Sequence, residues 1–138
     1  MMPGSFMVDF YKVYGGSYSG ACPKEIKDQE AFIQHVRALY PKSYGRVITH
    51  IKNEGKRTYG QIYYDKKQGL VKGCCDIIIP GKITFCCELK RKDRTKSKVS
   101  EYQKEYLGAA NDMGSFACVA YGYDAAVEAL GDWIKEGK

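Results

Sequence analysis

The sequence predicts an α/β domain in which helices pack against a mixed β-sheet. Three observations predict it. The 138 residues are 44% hydrophobic and 13% aromatic, enough for one core and too apolar for a disordered chain. Apolar residues recur at helical spacing after Pro23 and again after Ser100. Between those stretches lie two β-rich runs, 74–79 and 83–90, joined at Pro80-Gly81-Lys82.

The elements follow in chain order. Residues 1–22 are rich in Gly, Ser and Tyr and read as an N-terminal arm, with a short strand over 6–14; residues 23–138 read as a single domain. Pro23 suits the first position of a helix that Pro41 ends. Ile26, Phe32, Ile33, Val36, Leu39 and Tyr40 form its apolar face. Residues 46–51 alternate as a strand, Asn53-Glu54-Gly55 is a turn, and 58–68 is a short helix ending at Gly69. The 74–79 and 83–90 runs form a hairpin. Ser100-x-x-Gln103 is a capping box, and its helix stops at Gly114. A strand over 115–121 and a helix capped by Asp124 and running to about 135 complete the order.

The hairpin carries the sharpest chemical signal. A three-residue loop pairs Ile79 with Ile83 and puts Asp76, Glu88 and Lys90 on one face. The other face is then Cys75, Ile77, Ile79, Ile83, Phe85, Cys87 and Leu89, all apolar. Two carboxylates on one sheet face repel each other unless a divalent cation lies between them, and hard oxygen ligands suit Mg²⁺ or Mn²⁺. A lysine beside them can orient water for attack on phosphorus. The same spacing also fits an Asp at a strand start and a Glu–Lys pair at a strand end. On a helical wheel Glu25 and Gln29 fall within the apolar arc of the first helix and Glu30 falls off it. Glu25 therefore either turns toward the acidic face or serves the first-turn dipole.

Charge is uneven around a net +6: residues 1–51 carry six basic and four acidic groups, 52–98 thirteen and five, and 99–138 three and seven. A cationic middle third points to a polyanion, nucleic acid first. Lys90-Arg91-Lys92-Asp93-Arg94-Thr95-Lys96-Ser97-Lys98 puts six cations in nine residues, a phosphate-binding run without base readout. The six cysteines have no C-x-x-C spacing and read as reduced core residues rather than zinc ligands. No apolar run reaches membrane-spanning length and the N-terminus has no signal-peptide pattern, so a cytoplasmic protein with no membrane partner is expected.

Five ordered motifs resemble the virus-type replication-repair nuclease (VRR-NUC) domain of the PD-(D/E)XK superfamily, in its stand-alone phage or bacterial form. They are Glu25-x-x-x-Gln29, the stretch His50 to Arg57, Gly69-x-x-Lys72-Gly73-x-x-Asp76, Glu88-Leu89-Lys90 and Ser100-x-x-Gln103, within about residues 23 to 134. The chain departs from the pattern at Cys75, where proline is usual. The resemblance implies a restriction-endonuclease-like core and a Mg²⁺- or Mn²⁺-dependent deoxyribonuclease, with no organic cofactor. Asp76, Glu88 and the Leu89 carbonyl would hold the metal and Lys90 would position water, with Glu25 and Gln103 completing the catalytic set; Glu30 competes with Glu25. Asn53, Lys56, Arg57, Lys72, Arg91, Lys92, Arg94, Lys96 and Lys98 would contact DNA. Small relatives resemble Holliday-junction resolvases, so a homodimer on branched DNA is expected, with Phe6, Phe10, Tyr11, Tyr14 and Tyr18 as interface material, the alternative being that the arm folds back on its own domain as an edge strand. The alternatives are a monomeric flap, end or non-specific nuclease and a non-catalytic DNA-binding module.

Overall fold

The computed structural model describes residues 5–8, 11–52 and 58–137, with backbone alone for 5–8. A mixed sheet runs β1 (Ser5–Val8), β2 (Tyr11–Tyr14), β6 (Phe116–Tyr121), β5 (Phe85–Lys90), β4 (Ile77–Ile79) and β3 (Thr49–His50). β2 and β5 flank β6 in parallel, while the outer pairs β1–β2, β4–β5 and β3–β4 are antiparallel. This is the α/β class the sequence predicts.

Both faces of the sheet are covered. One packs on α1 (Glu25–Leu39) and α5 (Tyr123–Glu136), with Phe32, Ile77, Ile79, Phe85, Cys87, Leu89, Leu130 and Trp133 in a common core. Phe85 sits within 5.4 to 6.3 Å, ring centre to ring centre, of Phe32, Phe116 and Trp133. The other face packs on α4 (Glu101–Asp112), through Cys75, Cys86, Val99, Leu107 and Val119. β5 and β6 are buried along their whole length, as central strands covered on two sides must be.

Several expectations are corrected. The sheet claims the supposed arm: β2 lies parallel to β6, Tyr11 and Val13 enter the α4 layer, and Tyr14 enters the other core. Its Gly and Ser residues cluster after this strand, at 15–20. Two of the five aromatics offered for an interface, Tyr11 and Tyr14, are thereby buried, and Phe6 and Phe10 carry no described side chains. The strand expected over 46–51 survives only as β3, because Tyr44–Val47 forms a helical turn, α2. Tyr44 packs edge-on against Tyr40 and Trp133, and Gly45 lies so close to α1 that a Cβ there would be 2.7 Å from Arg37 Cα. On α1, Phe32 and Val36 are buried but Ile26 and Leu39 face out. Gly122, not Asp124, stands at the N-cap of α5; Asp28 of α1, buried itself, accepts a hydrogen bond from the Tyr123 backbone.

The hairpin register also differs. Ile79 pairs with Phe85, Ile78 with Cys86 and Ile77 with Cys87. The carbonyl that a tighter loop would need is engaged elsewhere: Trp133 Nε1 donates to Ile83 O at 2.7 Å. A slip of two residues preserves side-chain parity, so the faces stay as expected for Ile77, Ile79, Phe85, Cys87 and Leu89. Cys75 is the exception, since the chain bends before β4 and the Cys75 thiol meets Cys86 Sγ at 3.3 Å in the α4 layer. The described cysteines are all unpaired by disulfide, and four of them are buried.

Candidate active site

The observed register extended by one residue brings Asp76 opposite Glu88, on the face that α4 partly covers. Glu88 is 2% exposed and Lys90 is buried beside it. Glu88 Oε2 accepts from Gln103 Nε2 at 2.7 Å and lies 3.6 Å from Lys90 Nζ. Glu88 Oε1 is buried and meets no N–H or O–H donor, and the Glu88 and Asp76 carboxyls are close enough to share a proton when Glu88 is protonated. Asp76 Oδ2 accepts from the Leu89 amide at 3.0 Å, which ties the two strands together at the acids. Burial first, then the neighbouring Asp76, push the Glu88 carboxyl up to about 9, and the opposing pull of Lys90 does not offset them.

Gln103 has two jobs. Its amide oxygen accepts from the Ser100 backbone at 2.8 Å while Ser100 Oγ accepts from the Gln103 amide at 3.2 Å, closing the capping box that starts α4. The side-chain nitrogen is left to hold Glu88. Gly73 brings that helix end near the acids. Its φ is +86°, and a Cβ there would be 2.3 Å from Tyr102 O, so this close approach of backbones requires glycine.

Glu25 opens α1 half-buried. Arg91 anchors that helix start by donating to Cys22 O at 2.8 Å and Pro23 O at 3.2 Å. Burial and then Asp76 raise the Glu25 pKa, so this acid is within electrostatic reach of the pair. Glu30 is exposed, 3.9 Å from Lys27. Among the described residues no three His, Cys, Asp or Glu side chains are grouped as a metal site. The donor set still fits a hard cation. Mg²⁺ and Mn²⁺ suit one or two carboxylates with water completing the shell, and the donor-free oxygen of Glu88 beside Asp76 meets that need.

The backbone of Asp76 is held from β3, which sequence reasoning missed. Its carbonyl accepts from the Ile51 amide at 2.7 Å and lies 3.0 Å from His50 Nδ1. His50 stands in a matched motif, but this contact depends on the β3–β4 pairing and has no local signature.

The cations do not form one uniform patch. Arg94, Lys96 and Lys98 are exposed around a single 3₁₀ turn, Arg94–Lys96. Arg91 is committed to α1, and Lys92 Nζ stands 4.5 Å over the Tyr18 ring. Asp93 holds the turn, accepting from Gly20 N, Thr95 N and Thr95 Oγ1, and these bonds push its carboxyl down to about 2. Lys72 is exposed and lies 4.1 Å over the Tyr102 ring. Asn53, Lys56 and Arg57 fall outside the described residues.

A mixed sheet flanked by helices, with two acids and a lysine at a central hairpin, defines the restriction-endonuclease-like class of α/β fold. A solved structure described as a VRR_NUC domain protein matches with a TM-score of 0.71 and 21% sequence identity, covering 86% of this chain and 93% of that one. The chain therefore has the fold of that VRR_NUC domain protein. No family model and no curated protein matches the sequence. Among the described residues no helix is long and apolar enough to cross a membrane.

Proposed function

We propose that the protein is a Mg²⁺- or Mn²⁺-dependent DNA endonuclease that hydrolyses phosphodiester bonds and prefers branched DNA. The observation that carries the reading is the buried Glu88 carboxyl, one oxygen of which meets no donor, coupled to the neighbouring Asp76 and with Lys90 3.6 Å away. Asp76 and Glu88, with the Leu89 carbonyl, are the residues to hold the cation. A cation bound by them would supply Lewis-acid polarisation of the phosphate and offset of its developing charge. Lys90 donates hydrogen bonds to the attacking water and keeps it aligned with phosphorus. Gln103 fixes the Glu88 rotamer. Glu25, with its raised pKa, is suited to exchange a proton with solvent at the site's edge. Arg94, Lys96 and Lys98 attract the phosphate backbone.

The test is a cleavage assay on junction, flap, duplex and single-stranded DNA with Mg²⁺ and with Mn²⁺. Asp76→Asn and Glu88→Gln should abolish cleavage with the circular dichroism spectrum unchanged. Full activity in either variant, or in excess chelator, refutes the reading. A homodimer cutting a symmetric junction is the first form of the proposal, since two equivalent phosphates call for two sites. A monomeric flap or end nuclease is the second, favoured by the burial of Tyr11 and Tyr14 within their own domain. The mass in solution at micromolar concentration, with and without junction DNA, decides between them.

A further inference from the structure

The helix α3 (Tyr59–Lys67) has no buried residue. It is nonetheless a well-started helix: Thr58 and Gln61 close a full capping box at its N-terminus, with bonds of 2.9 and 3.2 Å. What it displays is unusual for a solvated helix. Tyr59 is 93% exposed and Tyr63 is 63% exposed. They stand one turn apart on the same face, where Ile62, Lys66 and Lys67 flank them. Lys67 Nζ lies 5.7 Å from the Tyr63 ring centre. The display continues past the helix, where Lys72 covers the half-exposed ring of Tyr102. Gly73 then seats against the α4 backbone, three residues before Asp76. Lys72 and Tyr102 thus stand beside the helix end that holds Glu88, and the rings and ammonium groups of α3 precede them directly along the chain.

We propose that these rings and ammonium groups form a stacking platform for a single strand of DNA that runs into the site. Exposed rings give up hydration cheaply and stack on any base that is not already stacked, while lysines beside them meet the phosphates. Bases in a duplex have no free face to offer, so the platform selects an unpaired strand. Charge argues for DNA over a second copy of this chain. Residues 58–72 hold three lysines and one acid, Asp65, which lies on the far side of α3 from Tyr59 and Tyr63. A twofold contact through this face would set six lysines together without matching acids. The proposal rests on the nuclease reading and deepens its second form, the flap or end nuclease, by naming the substrate as DNA with an unpaired strand at the cut; a four-way junction, paired throughout, would not engage the platform.

The experiment measures fluorescence anisotropy of a labelled oligothymidylate and a labelled duplex in chelator, with Tyr59→Ala/Tyr63→Ala and Tyr59→Phe/Tyr63→Phe beside wild type. Neither side chain is buried, so circular dichroism and the urea midpoint should match wild type in both variants. The alanine pair should weaken oligothymidylate binding about 10- to 100-fold and change duplex binding less than about 2-fold. The phenylalanine pair should bind like wild type, because the ring and not the hydroxyl stacks. The platform is overturned if the alanine pair binds oligothymidylate normally, or if the phenylalanine pair loses as much. It is also overturned if the alanine pair instead dissociates a wild-type dimer with single-strand affinity unchanged, which would make the face a contact between copies. Cleavage by wild type with Mg²⁺ reports separately on the nuclease reading. Normal cleavage with tyrosine-independent binding sinks the platform alone, and tyrosine-dependent binding without cleavage of any DNA sinks the nuclease alone.

Discussion

Replacing Glu88 with glutamine should make the metal-free protein more stable, by an amount that grows with pH. The Glu88 carboxyl is pushed from 4.5 up to about 9 by burial and by Asp76. An acid whose folded pKa is raised contributes stability below its unfolded pKa and loses it as pH rises through the folded one. Between those limits the folded chain keeps a proton that the unfolded chain releases. Stability then falls by about 1.4 kcal/mol for each pH unit per proton. At pH 7, about 2.5 pH units above the unfolded value, the cost reaches about 3 kcal/mol, a large part of a typical 5–15 kcal/mol total. Glutamine keeps the shape, can still accept from Gln103 Nε2, and has no proton to take up. Urea unfolding in chelator at pH 5, 6, 7 and 8 measures the gap between the two proteins. It should widen by about 1.4 kcal/mol per pH unit in favour of Glu88→Gln. A gap that does not change with pH would refute the claim that Glu88 is held protonated by its site. Added Mg²⁺ should stabilise the wild type far more than the variant, since a ligand that binds only the folded state shifts unfolding by mass action.

Three further outcomes follow from the geometry. Gly73→Ala should cost at least about 2 kcal/mol, from the left-handed backbone and the collision with Tyr102 O, whereas Gly69→Ala, with a similar φ but open space around it, should cost about 1 kcal/mol; paired urea midpoints measure the difference. Gln103→Ala should lower stability by about 1 kcal/mol and metal affinity by about 10- to 100-fold, while Gln103→Glu should keep the cap and still lose cleavage, because it cannot donate to Glu88; calorimetric metal titration and the cleavage assay separate the two roles. Changing Arg94, Lys96 and Lys98 together to glutamine should weaken binding to all DNA sequences alike and flatten the log–log salt slope by about 2 to 3, whereas Arg91→Gln should chiefly destabilise the fold by loosening the start of α1.

The sequence alone determined the features that depend on local chemistry. The Ser100 capping box, the α3 and α4 helices, and the parity that puts Asp76, Glu88 and Lys90 on one face are written in side-chain type and spacing. Parity survived the register error because a slip of two residues restores it. Features set by distant partners were not legible. The register itself depends on which group takes the Ile83 carbonyl, and that group, Trp133 Nε1, lies on α5. The incorporation of β2 depends on an open edge of β6 more than a hundred residues away. The two roles of Gln103 show the boundary most plainly. Its cap is visible in Ser100-x-x-Gln103, but its grip on Glu88 exists only because Gly73 lets α4 approach the hairpin. In the same way the sequence names the acids, while only the tertiary structure leaves one oxygen of Glu88 buried and without a donor, since burial is a property of everything packed around it.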